Sequence, residues 1–155
     1  GFPSVPMKLV RPDLELTLLD SLQKRLTFLS ALCGELGMQA ELVHARAEEA
    51  GRNPKYREKF DAATSRAVAG MGLLAEYCLP LLKVGGVLLA MKGSAGREEA
   101  AAGEKALALC GGRIREIRDY TLPNGDPRTL ILVEKVAPTP PKYPRAFAKI
   151  KKSPL

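Results

Sequence analysis

The sequence predicts an α/β fold: a mostly parallel sheet layered with helices and finished by an antiparallel hairpin. Three observations predict it. Short apolar runs that end on polar residues alternate with longer segments whose apolar residues recur every three or four positions. Glycines close the helical segments, as at Gly34 and Gly37 and again at Gly111-Gly112. The last two extended segments, Ile114 to Leu122 and Thr129 to Val136, are separated only by the turn cluster Pro123-Asn124-Gly125-Asp126-Pro127. That link has no room for a crossover helix, so the two strands must pair antiparallel.

Taken in order, Gly1-Phe2-Pro3 has the look of the end of a glycine-rich loop, and Ser4 to Val10 makes a short helix stopped by Pro12. Leu14 to Leu19 is an apolar run too brief for a helix and reads as a strand covered on both faces, with Asp20 ending it. From Leu22 the period changes, and Leu22, Leu26, Phe28, Leu29 and Leu32 form a helical stripe. Ala40 to His44 is a second strand. Gly51 to Lys59 is too polar and too interrupted for a core element, and is a loop or loosely held surface helix. Phe60 to Ser65 is a third strand with Arg66 at its carboxyl end. Gly70 to Leu82 is a helix stopped by Lys83-Val84-Gly85-Gly86, Val87 to Met91 a fourth strand ending at Lys92-Gly93, and Glu98 to Leu109 an alanine-rich helix.

The 155 residues suit one domain of ordinary size, and 46% apolar residues supply a core. No run approaches the roughly 20 apolar residues that span a bilayer, and no signal peptide is recognisable. Cys33, Cys78 and Cys110 are odd in number and far apart, without metal-site partners nearby, which predicts free thiols in a cytoplasmic protein and no metal site. The formal charge is +7, and its distribution tells more than its size. No acid follows Glu134, and Lys142, Arg145, Lys149, Lys151 and Lys152 leave only +2 for the residues before Pro138. Residues 1–137 therefore read as the folded domain and 138–155 as a basic tail, kept extended by Pro138, Pro140, Pro141 and Pro144. Such a tail, with Tyr143 and Phe147, either neutralises phosphates and stacks on bases of RNA or DNA, or is solubilising and touches nothing.

In open parallel sheets ligands bind beyond the carboxyl ends of the strands, and an acid at such a tip is placed to take both hydroxyls of a ribose. Asp20 is the first candidate for a nucleoside contact; the alternative is a helix N-cap, assisted by Ser21.

With the elements placed, seven segments stand in a recognisable order: Gly1-Phe2-Pro3; Asp20-Ser21-Leu22 with Lys24-Arg25; Arg46-Ala47-Glu48-Glu49; Ser65-Arg66-Ala67; Lys83-Val84-Gly85-Gly86; Met91-Lys92-Gly93; and Pro138 through Arg145. Together they closely resemble the bacterial 16S rRNA guanine-N7 methyltransferases (RsmG, also called glucose-inhibited division protein B). Each motif alone is weak, but seven in register over nearly the whole chain are specific. The resemblance implies a class I, Rossmann-like methyltransferase fold, a three-layer sandwich using S-adenosyl-L-methionine. It implies transfer to N7 of a guanine in the 530 loop of 16S rRNA, with the small ribosomal subunit as partner.

By the same resemblance Gly1 and Phe2 lie in the loop over the cofactor, Asp20, Ser21 and Leu22 near its ribose, Ala47 and Glu48 near its adenine, and Arg66 at the mouth of the site. Three of these have plainer readings: Phe2 as core, Glu48 as the start of a surface helix, and Arg66 as a counter-ion for Asp20 or Glu48. Lys92, Lys142, Arg145 and Lys149 are the RNA-contact candidates, Lys92 being alternatively a solvated lysine at a strand end. Guanine N7 has a lone pair and no proton to lose, so the chemistry needs alignment and no general base; His44, the single histidine, is not expected to be catalytic. Arg66 is the candidate for positioning the guanine.

The chain departs from the family at its start. The family's first strand and Gly-x-Gly segment have no counterpart before Gly1, so the chain reads as N-terminally truncated, with a longer protein or a second copy supplying the strand. Two other classes are weighed. A nicotinamide-dependent oxidoreductase fragment would also carry an acid about 20 residues after its glycine loop, but Gly1-Phe2-Pro3-Ser4-Val5-Pro6 lacks the close-packing glycine. A non-catalytic RNA-binding or ribosome-assembly module would account for the basic tail.

Overall fold

The structure, a computed structural model, describes all residues from Gly1 to Leu155. They form two compact units, Gly1–Ala47 and Glu48–Leu155.

The first unit begins with α1 (Ser4–Val10), followed by β1 (Thr17–Asp20), α2 (Gln23–Glu35) and β2 (Glu41–His44). The two strands pair in parallel, with Asp20 opposite His44 at their carboxyl tips. Val5, Leu18, Leu26, Leu29 and Cys33 make its core. Within α2 the buried stripe is thus Leu26, Leu29 and Cys33. Phe28 and Leu22, which the spacing also assigned to it, are exposed, Phe28 by 65%. The reason is angular. Phe28 lies about 200° around the helix from Leu26, at 3.6 residues per turn, and so cannot share its face.

The second unit begins within a short helix, α3 (Ala47–Ala50), and contains β3 (Phe60–Arg66), α4 (Met71–Cys78), β4 (Leu82–Lys92), α5 (Gly96–Leu109), β5 (Gly112–Thr121) and β6 (Pro127–Lys135). Its four strands run in the order β3-β4-β6-β5. β3 and β4 are parallel, whereas β6 is antiparallel to both β4 and β5. The expected hairpin is therefore present, with β6 between β4 and β5. A single sheet was expected; the six strands divide into two, since β1 pairs only with β2 and β3 only with β4.

β6 alternates strictly, burying Thr129, Ile131, Val133 and Lys135. Ile131 and Val133 pack with Leu88 and Ala90 of β4, Met71 and Leu74 of α4, and Ala106 and Leu107 of α5. Gly103 makes the α4–α5 approach possible, because a β-carbon there would meet Met71. β4 starts five residues before the predicted strand: Lys83-Val84-Gly85-Gly86 does not end a helix but forms the irregular first half of the strand, with a register shift against β3. The preceding helix stops earlier, in a 3₁₀ turn over Leu79–Leu81 that carries Pro80. Gly111, at φ +87°, turns the chain from α5 into β5 where a side chain would overlap the carbonyl oxygen of Ala137.

The C-terminal segment corrects the expectation of an extended, irregular tail. Residues 147–152 form α6 (Phe147–Lys152), Tyr143 and Ile150 are buried, and the segment belongs to the second unit. Charged side chains of the predicted polar loop hold it. The Arg57 guanidinium donates to the carbonyls of Gly51, Thr139 and Tyr143 at 2.7–2.9 Å, and Arg52 Nε donates to Pro144 O at 2.7 Å. Glu58 accepts from Thr139 N at 2.8 Å and from Lys135 Nζ at 3.2 Å. Lys135, fully buried on β6, also donates to Leu79 O and Leu82 O. Arg145 N–H and its guanidinium donate to the wholly buried Glu76. Prolines forbid helix only as far as Pro144; beyond it, burial of Ile150 outweighs the mutual repulsion of the lysines.

The three cysteines are free. Burial pushes the Cys78 and Cys110 thiols up to about 12, so both remain protonated and weakly nucleophilic at neutral pH. In the native protein at pH 8 neither should react with a thiol reagent on the timescale of a free cysteine, and both should react after denaturation. Mass spectrometry of alkylated peptides checks this, and rapid native labelling of Cys110 would contradict it. No helix is long and apolar enough to cross a membrane.

Candidate functional site

Strand tips carry three of the predicted site residues, Asp20, Arg66 and Lys92. In the first unit, β1 ends on Asp20, and the chain turns through Ser21 and Leu22 into α2. Asp20 Oδ1 accepts from Leu22 N at 2.9 Å, and Oδ2 lies 3.3 Å from Arg25 Nη1. The carboxylate thus shapes the turn before the helix but does not cap it: the N-cap position is Leu22, without a side-chain cap bond. Of the alternatives for Asp20, the N-cap is excluded. Its side chain keeps 22% exposure, so it remains accessible. His44, opposite on β2, places Nε2 3.1 Å from Ser21 O and braces the turn from the neighbouring tip. Ala45 N donates to Asp20 O at 3.3 Å, so the chain leading to Ala47 leaves from beside Asp20. Gly1 packs against Leu29 and Val5, and Phe2 is 53% exposed rather than part of the core.

In the second unit, Glu48 is buried and lies in the first turn of α3, the helix-start position of its plainer reading. Arg66 is the exposed last residue of β3, in register with Met91 of β4, so that Arg66 and Lys92 end neighbouring parallel strands. Ala67, directly after Arg66, has φ +53°, a left-handed conformation costing about 1–2 kcal/mol for a residue with a β-carbon. Such strain persists where surrounding structure over-determines it, and it clusters at functional sites. Here Lys92 supplies the restraint. Its ammonium, on a side chain only 8% exposed, donates to Ala69 O and to Glu99 Oε2, the latter at 2.8 Å.

This corrects both readings of Lys92, since it is neither solvated nor open to a phosphate. It pins the loop that follows Arg66. Replacing Lys92 with methionine should cost about 1.5–3 kcal/mol, the value of hydrogen bonds to a charged group. It should also raise amide exchange over residues 67–70 first. A thermal melt with residue-resolved hydrogen exchange measures both, and unchanged protection of that loop would refute the restraint.

Arg145 is likewise held by Glu76, whereas Lys142 and Lys149 are exposed. A shallow groove between α2 and β2, lined among others by Gln23, Thr27, Leu42 and His44, includes none of the predicted site residues. The charged frame of Arg52, Arg57, Glu58 and Lys135 escaped the sequence reading. Its one sequence signal is a density of charge beside Pro54 in a segment without apolar period.

A model of the family described as rRNA small subunit methyltransferase G matches residues 1–124. The chain belongs to this family. A ribosomal RNA small subunit methyltransferase G from Leuconostoc mesenteroides is 51% identical over 156 residues, covering 100% of this chain and 65% of its own length. One from Lactobacillus delbrueckii is 54% identical over 157 residues, covering 100% and 66%. The chain therefore spans just under two thirds of the length of these relatives. Among solved structures, a 16S rRNA (adenine(1408)-N(1))-methyltransferase from Catenulisporales acidiphilia with cosubstrate SAM aligns with a TM-score of 0.70 at 13% identity, over 90% of this chain and 82% of that one. An rRNA methylase from Streptococcus thermophilus aligns with a TM-score of 0.57 at 21% identity, over 79% and 74%. At such identities the likeness establishes the fold, which is that of class I methyltransferases. Family membership leaves the oxidoreductase alternative without support.

Proposed function

We propose that the chain carries the cofactor-binding and guanine-positioning residues of an enzyme that methylates N7 of a guanine in the 530 loop of 16S rRNA. The observation that carries this reading is the family match over residues 1–124, which includes Asp20, Glu48 and Arg66 in their motifs. Within the first unit, Asp20 offers an accessible carboxylate at a strand tip and Phe2 an exposed aromatic ring in the opening loop, groups suited to a ribose and to an adenosyl group.

S-adenosyl-L-methionine, when bound, supplies an electrophilic methyl group on sulfur. In the proposal, Asp20 accepts from the ribose hydroxyls while Ser21 and Leu22 line the same turn. Gly1 and Phe2 cover the cofactor, Ala47 and Glu48 address the adenine, and Arg66 holds the guanine edge. No side chain need remove a proton, because N7 offers its lone pair directly; the protein contributes alignment and exclusion of water. Localisation to the cytoplasm, where ribosomes are modified, belongs to the same reading. Self-association along the unpaired edge of β1 does also, and would appear as a dimer in sedimentation.

The test is a titration with S-adenosyl-L-methionine together with mass spectrometry of guanine methylation in small-subunit rRNA, with and without the protein in the cell. Cofactor binding and a protein-dependent N7-methylguanine are expected. RNA binding without either would leave a non-catalytic binding module instead.

A further inference from the structure

The acid-free C-terminal segment is neither extended nor detached, and this changes what its charges can do. Ile150 is fully buried and anchors α6, while Lys149, Lys151 and Lys152 are all exposed. At 100° per residue these lysines fan over the side of the helix facing away from Ile150. None of the three has an acidic partner, in contrast to Lys83, Lys92 and Lys135, which pair with Asp61, Glu99 and Glu58. Lys142 adds a fourth exposed cation, 5.2 Å over the Tyr143 ring.

The course of the segment is also defined. Arg145 is tied to Glu76 in the last half of α4, and the carbonyl of Leu155 lies beside Gly72 in its first turn, 3.5 Å from where a β-carbon would sit. Residues 145–155 thus run along α4 toward the end from which the loop after Arg66 enters that helix.

We propose that α6 is a preformed cationic ridge that binds RNA phosphates beside the strand tip carrying Arg66. The inference rests on the proposed function for its choice of RNA. Three unpaired lysines on a fixed helix match a polyanion with regularly spaced charge. A membrane-surface helix would need an exposed apolar face, and here the apolar residue points into the core. A protein interface would need an aromatic or apolar centre, whereas the exposed residues flanking the lysines are Ala146, Ala148 and Ser153. Arg145, the strongest donor in the segment, is excluded from the ridge because Glu76 holds it.

The lysines also lie in the last turn of α6, where positive charge stabilises a helix. The test separates the two roles. Binding of a 16S rRNA fragment containing the 530 loop is measured against salt concentration. The full chain is compared with the triple variants K149Q/K151Q/K152Q and K149R/K151R/K152R, with melting followed on each. The glutamine variant should lose tenfold or more in affinity at 0.1 M salt, and the slope of log affinity against log salt should fall by about 2, since each phosphate contact contributes about 0.7. The arginine variant should retain both. An unchanged slope, equal losses in both variants, or a gain of binding to phosphatidylglycerol vesicles by the unmodified protein would overturn the ridge. S-adenosyl-L-methionine affinity, measured on the same samples, should be identical in all three. If the unmodified protein binds no cofactor, the proposed function fails while the ridge is still judged by its salt slope.

Discussion

Replacing Glu76 with alanine should destabilise the second unit by about 3–5 kcal/mol, because it leaves the Arg145 guanidinium without its counter-charge in a largely buried site. Glu76 is wholly buried and accepts from both the backbone N–H and the guanidinium of Arg145. A guanidinium stays protonated throughout the accessible pH range even without a partner, so the arginine cannot escape by losing its proton. For a chain of this size the loss corresponds to roughly 10 °C in melting temperature. The C-terminal segment should become the first site of proteolysis, as the pair fastens it to α4. The double variant E76L/R145M provides the contrast. Replacing both charges by apolar groups of similar size removes the desolvation cost with the attraction, and should recover most of the stability. A melting temperature for E76A within 2 °C of the parent would show that the pair is dispensable.

Under the proposed function, replacing Arg66 with alanine should lower methyl transfer by about 10²–10³-fold, the typical loss when a fixed hydrogen-bond donor at a reacting group is removed. Arg66 is exposed at the end of β3, so folding should be little affected, and the melting temperature serves as the control. If Arg66 acts on the guanine, S-adenosyl-L-methionine affinity should change by no more than about threefold; a parallel loss of cofactor binding would reassign it to the cofactor. Turnover equal to the parent would remove it from the site. The loop that follows Arg66 starts at Ala67, with φ +53°, and is held at Ala69 by Lys92, so if that loop positions Arg66 the Lys92 variant should share part of the loss.

Acid should act on the same C-terminal fastening. Burial opposes ionisation of Glu58, but the Thr139 N–H and the Lys135 ammonium outweigh it and hold the carboxyl below its ordinary value. Lys135 is itself pulled down by burial, with Glu58 pulling it back. A depressed carboxyl pKa contributes stability above its unfolded value that is lost as pH falls through the folded one. The Glu58 contribution is therefore present at neutral pH and disappears below the normal carboxylate range.

How much could be read in advance differs from element to element. The hairpin was legible because a five-residue proline- and glycine-bearing turn admits one topology, and β6 alternates so regularly that its buried face follows from period alone. β4 was shortened because Gly85-Gly86 breaks helices and strands alike, and only pairing with β3 decides which follows. Phe28 was misplaced because a list of apolar residues ignores angle. α6 was missed because four prolines and a run of lysines argue against helix, while the favourable term, burial of Ile150, is visible only once the core exists.

By itself the sequence determined the order of the six strands, the parallel-then-antiparallel topology and the family, since these follow from local periodicity, turn chemistry and motifs in register. The tertiary structure alone decided what the charged residues do. Lys135 meets Leu79 across 56 residues, Glu76 meets Arg145 across 69, and Arg57 meets Tyr143 across 86. A buried charge persists only with a partner, and at such separations no local pattern names the partner, so a lysine that looked solvated fastens a loop and an arginine that looked free fastens a helix.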